Sequence, residues 1–332
     1  MATHPDAATV RAAVSLACRA PSVHNSQPWR WRATSGGTVQ LFADRSRQLA
    51  EADPRGRDLV ISCGAALHHL QVALVAAGWA PRVHRLPDER NPDHLATVDM
   101  VATTPDDDQL RLAEAIIRRR SERRRLTSWE VPDQHLQRLA EAAQHSGALL
   151  AGSSELQIRH RLIFAFSEAA ARQGEDPAYQ TELSRWSGRG SLADVGVPSA
   201  NVPSGSVSDP TRREFPRGHA MDAAPEAGDD IGGELLVLAS TSDNVRSQLL
   251  AGEALSATLL TATSKGLATC ALTQPLEVEH TRRLIHEELL GGTWTPQVLV
   301  RVGWLPDTLQ PLPHTPRQRL EDVLTTIAPE GD

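Results

Sequence analysis

Lysine is almost missing from this 332-residue chain. Lys265 is the only one, and the other 33 of its 34 basic residues are arginines. That skew is read as codon usage in a GC-rich genome and excludes nothing about function. Cysteine is scarce too: Cys18, Cys63 and Cys270 lie far apart and show no paired spacing. This argues against a disulfide framework or a thiolate metal site, and leaves three small hydrophobes in or beside apolar helices. No window approaches the ~18 consecutive apolar residues of a membrane span. The first ten residues carry Asp6 and no basic n-region, so they do not read as a signal peptide. A cytoplasmic protein with no membrane partner is expected. The net charge of −7 disfavours a general nucleic-acid binder. Several chemical signatures are missing as well. No Gly-x-Gly-x-x-Gly follows a strand, and there is no Walker A loop and no Gly-x-Ser-x-Gly elbow. His68 and His69 are adjacent, with no carboxylate at ligand spacing, so they read as packing or interface residues.

Apolar residues at helical spacing predict helices over 6–19, 57–78, 105–119, 132–145, 153–173, 244–266 and 277–290. Strand-like runs cover 29–31, 38–42, 82–86, 96–101, 234–239 and 298–304. The 57–78 helix is apolar on most sides and is expected between layers. It also has a counterpart. With a constant offset of 188, Gly64, Ala66, Leu67, Gly78 and Ala80 all meet identical residues, from Gly252 to Ala268. We read a diverged internal duplication. Its small residues would let two helices approach closely at a pseudo-twofold interface. The stretch 187–232 breaks the pattern, with seven Gly and five Pro in 46 residues. It reads as a lid or as a disordered insertion.

Two segments could carry chemistry. Residues 20–31, Ala-Pro-Ser-Val-His-Asn-Ser-Gln-Pro-Trp-Arg-Trp, place a polar turn between an apolar helix and an aromatic strand. The turn reads equally as a helix cap and as a ligand site. The second segment, 118–125, holds six arginines in eight residues. Arginine forks suit phosphate, and that reading is favoured over a solvated helix end.

Pro21-Ser22-Val23-His24-Asn25-Ser26-Gln27-Pro28-Trp29 resembles the Pro-Ser-x-x-Asn-x-Gln-Pro-Trp motif of FMN-dependent nitroreductases. Arg119-Arg120-Ser121-Glu122-Arg123 resembles their Arg-x-Ser-x-(Arg/Lys) run. Gly266-Leu267-Ala268-Thr269-Cys270 and Pro316-Arg317 resemble two further segments. The reversed order of the first two motifs, the duplication and the long loop resemble the Acg-type branch, which fuses two nitroreductase-like halves.

The resemblance implies an α+β nitroreductase-like fold, a tandem duplication forming an intrachain pseudo-dimer, with mainly antiparallel sheets flanked by helices. The halves would be 1–105 and 106–332, the second carrying the lid-like insertion 187–232. It implies an FMN site in which Arg119, Ser121 and Arg317 hold the phosphate and Arg123 lies near the flavin N1–O2 edge. Pro21, Ser22 and Asn25 would reach across from the first half, and Gln27 and Trp29 would brace that loop or touch the cofactor, with packing the favoured role for Trp29. The 271–273 backbone, ending at Thr273, would border the flavin N5 edge. No catalytic side chain and no metal are expected, because the flavin performs the chemistry. NAD(P)H would be the reductant and a nitroaromatic or quinone-like small molecule the acceptor. The alternative is FMN storage, with the lid blocking nicotinamide; a weaker one is an arginine patch for an acidic protein. Only one motif loop and one arginine–serine run are present, so one FMN per chain is expected. The chain would be a monomeric pseudo-dimer or a homodimer.

Overall fold

The computed structural model describes residues 4–34, 36–152, 156–190, 193–204, 209–223 and 232–327. The rest of the 187–232 stretch lies outside the described residues. Asp6 starts helix α1 (Ala7–Ala17) by accepting from the Thr9 amide at 2.7 Å. Strands β1 (Trp29–Thr34) and β2 (Val39–Ala43) follow, each with alternating burial. Helix α2 (Arg57–Ala76) leads to β3 (Trp79–Arg85) and β4 (His94–Ala102). The second series opens with α3 (Asp107–Arg118), held by a capping box between Asp106 and Gln109. Then come α4 (Asp133–His145), β5 (Leu149–Gly152), α5 (Leu156–Gly174) and α6 (Pro177–Trp186). The short strands β6 (Ser187–Arg189) and β7 (Val197–Pro198) pair within the loop-rich stretch. Strand β8 (Glu234–Ser240), helix α7 (Val245–Ser264) and strand β9 (Ala268–Leu272) complete the next layer. The single helix expected over 277–290 is broken into α8 (Gln274–Glu277), α9 (Glu279–Leu284) and a π-turn at Ile285–Leu289. The break falls at Val278, whose backbone is extended (φ −102°, ψ 120°). Strand β10 (Thr295–Gly303), the one-turn α10 (Leu320–Val323) and β11 (Leu324–Ile327) end the described chain.

Two sheets result, ordered β11-β1-β2-β4-β3 and β5-β8-β10-β9. Without β11, both follow one plan: first strand, second, fourth, third, all antiparallel. Each long helix sits between the second and third strands of its unit. The series is therefore αββαββ twice over, which is compatible with a duplicated unit. The 152–234 connection interrupts the second copy where the first has a short hairpin. β11 runs parallel to β1, with Leu324 opposite Trp31. The C-terminal segment thus crosses from the second unit to complete the first sheet.

Helices α2 and α7 are both 20 residues long and begin and end 188 residues apart. They pack on one another through glycine. A Cβ on Gly64 would lie 2.1 Å from the Leu249 carbonyl oxygen, and one on Gly252 would lie 2.0 Å from the Ile61 oxygen. Ile61 and Leu249 are themselves 188 apart, so the contacts are reciprocal. Further along, Ser256 Oγ lies 2.7 Å from Nδ1 of both His68 and His69. Glu253 receives a fork from Arg85 and a bond from Gln71. Helix α2 is long and apolar enough to cross a membrane by length and composition alone, yet Asp58, Ser62, His68, His69 and Gln71 interrupt its apolar run. Sixteen of its residues are buried in protein.

The cores follow the layers. Trp29, Trp31, Leu41, Leu67 and Leu70 fill the space between the first sheet and α1 and α2. Leu139, Leu238, Leu259 and Val300 do the same between the second sheet, α4 and α7. Leu162, Phe166, Leu235 and Leu299 cover that sheet's other face. All three cysteines are free and buried.

Candidate functional site

The 20–28 turn between α1 and β1 is held in an unusual shape. His24, Asn25 and Gln27 have φ values of 46°, 55° and 51°. Left-handed backbone at three non-glycine residues within four positions is costly, and such strain concentrates at functional sites. Ser22 Oγ accepts from the Gln27 amide at 3.0 Å, and the Val23 amide donates to Ser62 Oγ on α2 at 3.1 Å. The turn is thereby fixed to the helix.

The arginine run reaches the same place from the second unit. After α3 ends, Ser121 bridges to Thr269 on β9, and the Glu122 amide donates to the Thr269 carbonyl at 2.7 Å. Arg124 is neutralised by buried Glu122, at 2.7 Å. Arg123 lies 5.2 Å above the Phe215 ring, in the loop-rich stretch. Burial lowers the pKa of Arg123.

Between these elements lies a cavity of about 80 Å³, smaller than the ~300–1,000 Å³ usual for a small-molecule site. Pro21, Ser22, Val23, His24, Asp58 and Ser62 line it from the first unit, and Ser121, Arg123, Leu255, Ala271 and Thr273 from the second. Both His24 ring nitrogens are buried without a hydrogen-bond partner. Burial, aided by Arg213, pushes the His24 pKa down to about 3, so the ring is neutral.

Immediately beside Pro21 sits a cluster of arginines. Arg317 donates to the carbonyls of Cys18, Arg19 and Ala20 at 2.9–3.3 Å. Arg119 donates only to the Arg19 carbonyl, at 3.4 Å, and its Nε has no partner. Arg19 and Arg120 flank the two ring nitrogens of His314, at 2.6 and 2.8 Å. Among the described residues, Arg19, Arg119, Arg120 and Arg317 bond to carbonyls and to His314, and none forms an ion pair. Burial, reinforced by neighbouring arginines, lowers Arg119 to about 10 and Arg317 to about 9. Guanidinium groups held this way favour an anion. The donor set, an uncompensated arginine cluster beside orphaned buried polar atoms, suits an anionic group such as the phosphate of FMN.

The expected site residues therefore separate. Pro21, Ser22, Ser121, Arg123 and Thr273 line the cavity, and Arg119 and Arg317 form the adjoining cluster. Asn25 and Gln27 face elsewhere. Asn25 Nδ2 donates to the Gly196 and Pro316 carbonyls at 3.0 and 3.2 Å. Gln27 Nε2 donates to the Asp194 carbonyl at 2.7 Å, and its Oε1 accepts from the Gln318 amide. Both bind the loop-rich stretch and the C-terminal segment to the turn. Trp29, 1% exposed, is a core residue; its β-strand alternation turns it inward, away from the cavity. Sequence reasoning missed Asp58, Arg19 and Phe215. Asp58 carried a signal, as a carboxylate on a helix apolar all round; Arg19 and Phe215 carried none.

The loop-rich stretch is latched to the site. Arg213 forms a buried pair with Glu277, with one contact of 2.9 Å, and also touches Tyr179. Burial opposes both charges, yet Glu277 raises the pKa of Arg213 and Arg213 lowers that of Glu277. Thr273, in the cavity wall, donates to Glu277 at 2.6 Å. Among the described residues no group of three His, Cys, Asp or Glu side chains could hold a metal ion.

No family model matches the chain. Curated relatives do match, among them two proteins of Mycobacterium tuberculosis H37Rv. "Putative NAD(P)H nitroreductase Rv3131" is 42% identical over 330 residues, covering 98% of this chain and 93% of its own. "Putative NAD(P)H nitroreductase acg" is 39% identical over 321 residues, covering 95% and 94%. This chain belongs to the Acg-type nitroreductase-like family. Solved structures give partial matches. A nitroreductase with bound FMN from Bacteroides fragilis is 13% identical over 60% of this chain and 90% of its own, with a TM-score of 0.38. One from Desulfitobacterium hafniense is 15% identical over 65% and 98%, with a TM-score of 0.41. Within the family, this chain has an α+β fold whose two units face one cavity.

Proposed function

We propose that the chain binds one FMN and is an oxidoreductase that takes electrons from NAD(P)H and passes them to a nitroaromatic- or quinone-like acceptor. One observation carries this reading. The motif turn and the arginine–serine run, from two distant parts of the chain, line one cavity, and Arg119 and Arg317, which have no carboxylate partner among the described residues, gather beside its Pro21 end. Arg119, Ser121 and Arg317 are assigned to the phosphate, through charge-assisted hydrogen bonds. Arg123 is assigned to the pyrimidine edge of the ring, and Pro21, Ser22 and the 271–273 backbone to the walls that orient it. Asn25 and Gln27 are positioning residues that hold the turn. When bound, FMN supplies the two-electron chemistry, and the protein binds, orients and tunes it. On this reading the halves are 1–105 and 106–332, although β11 and Arg317 serve the first, and the α2–α7 seam makes a second chain unnecessary.

The latch of Arg213 to Glu277 and the bonds from Asn25 and Gln27 to Gly196 and Asp194 favour a second reading, FMN storage under a closed cover. The absorption spectrum of the purified protein, followed by anaerobic NADPH, separates the two. Rapid bleaching of a flavin band supports the oxidoreductase. A band that persists with FMN bound supports storage. A chain that cannot be loaded with FMN refutes both.

A further inference from the structure

The cavity contains one carboxyl group, and nothing above gives it a task. Asp58 lies in the first turn of α2, is 3% exposed, and lines the cavity beside Ser62 and opposite Arg123. Neither of its oxygens accepts a hydrogen bond. Arg57 approaches Oδ1 to 2.6 Å without pointing a donor along a hydrogen-bond direction, and itself donates to the Gln297 carbonyl. A carboxyl buried against a ligand cavity with both oxygens unbonded has a poorly solvated charged form.

A second carboxyl stands behind it. Asp53 accepts from the Leu59 amide at 2.8 Å. It lines a separate cleft with Arg55, Arg57, Glu277 and Arg282, which opens between the two units. The charged or titratable groups around Asp58 come from every side. Arg57 shares its helix and Asp53 precedes it. Glu277 is on α8, Arg213 is on the loop-rich stretch, and His24 and Arg123 share the cavity. Burial raises the Asp58 carboxyl to about 7; Arg57 opposes this and Asp53 and Glu277 add to it. Asp53 itself is raised to about 6 by burial.

We propose that Asp58 is the proton donor of this cavity, supplying the proton that a quinone-class acceptor takes up with its hydride. The inference rests on the oxidoreductase reading above. The atoms balance simply. NAD(P)H is the source of the hydride, and an acceptor that gains it becomes a hydroquinone monoanion. The O–H bond of the Asp58 carboxyl breaks, an O–H bond forms on the acceptor oxygen, and the product leaves neutral. Solvent in the cleft lined by Asp53 and Arg57 returns the proton to Asp58.

The test uses the full chain with two readouts. In ¹³C-carboxyl NMR of the protein without cofactor, two aspartate resonances are expected to titrate well above the usual carboxylate range, and the one with the higher midpoint to vanish in Asp58→Asn. In the FMN-loaded, pre-reduced protein, reoxidation by benzoquinone is expected to slow as pH rises through that midpoint. Asp58→Asn should remove this limb and slow reoxidation by about 10²–10⁴-fold, the usual range for a positioned acid. Asp53→Asn keeps an acceptor for the Leu59 amide and removes one negative neighbour, so it should move the limb to lower pH. It tests the idea even if Asp58→Asn folds poorly. An Asp58 that titrates below pH 5 overturns the donor role alone. So does Asp58→Asn protein that reoxidises like the parent, or an Asp53→Asn limb that stays in place. A chain that cannot be loaded with FMN overturns the oxidoreductase reading and the donor role with it.

Discussion

Replacing Gly64 by alanine tests the seam on which the whole site depends. In an isolated helix this change stabilises, by about 1 kcal/mol, because alanine loses less backbone freedom. Here the added Cβ would lie 2.1 Å from the Leu249 carbonyl oxygen and 2.9 Å from Gly252 Cα, against 3.4 Å or more for an ordinary contact. Both obstacles are backbone, so no rotamer change relieves them, and the helices must part by roughly 1 Å locally. Overpacking that side chains can absorb costs about 1–3 kcal/mol. A backbone clash belongs at or above the top of that range, because a gap of that size forfeits a quarter to a half of each cross-seam contact. After the helix-propensity gain, the expected net loss is about 2–3 kcal/mol. Gly252→Ala should cost the same within about 0.5 kcal/mol, because its contact with the Ile61 oxygen is the reciprocal one, at 2.0 Å. The double variant should cost less than the sum by at least about 1 kcal/mol, since one separation accommodates both methyl groups. Urea unfolding reads this directly, as a midpoint about 0.5–1 M lower at constant slope. The seam also carries Ile61, Ser62 and Leu255 into the cavity wall, so FMN affinity should fall in step. A stabilised single variant, or strictly additive costs, would falsify the reciprocal packing.

Three further outcomes follow from the electrostatics. Arg119→Met should weaken FMN binding about 10–100-fold, the loss of one charge-assisted bond, measured by fluorescence titration. The same variant should leave the cofactor-free chain as stable or more stable, since Arg119 makes one 3.4 Å bond amid other cations; a destabilised apo-protein contradicts this. His68 is half-buried, and desolvation lowers its pKa from 6.5 to about 4, so the ring is neutral at pH 7. Unfolded imidazoles protonate below about 6.5, so the stability held above that pH should drain away towards pH 4, by at most about 3 kcal/mol. His68→Gln should flatten the loss, and an unchanged pH profile of unfolding would refute the assignment. Arg213→Ala removes the latch and strands Glu277. It should expose the 209–223 stretch to limited proteolysis and quicken any bleaching by NADPH, while leaving the absorption band of bound FMN in place.

Much of this was legible before any coordinates, and for physical reasons. The 188-residue offset was visible because Gly64 and Gly252 have no substitute where two helices touch. The motif turn was visible because polar and proline residues crowd between two regular elements. The adjacent histidines read as packing or interface residues because no carboxylate stands at ligand spacing, and both meet Ser256 across the seam. What stayed hidden depends on contacts across long separations. The pairing of β11 with β1 joins Leu324 to Trp31, and no periodicity in a four-residue strand announces it. Asn25 and Gln27 looked like cofactor ligands because their type suits one. Only the fold shows their amides directed at Gly196 and Asp194. Trp29 sits in a motif yet faces inward, where strand alternation, not the motif, decides its place.

The two units share a strand order but not their loops, and this asymmetry fixes how many cofactors the chain should hold. In the first unit eleven residues separate α1 from β1, room for the strained turn that lines the cavity. In the second, three residues separate α4 from β5, and they close the helix through Gly147, at φ 82°, with Ser146 their one polar side chain. A pseudo-twofold copy of the site would thus lack the turn whose Pro21, Ser22 and His24 wall the cavity, so a second FMN would bind more weakly. Saturation with FMN, followed by gel filtration and measurement of flavin against protein, should therefore give a ratio near one. A ratio near two would mean that the shared strand order, and not the loops, makes the site.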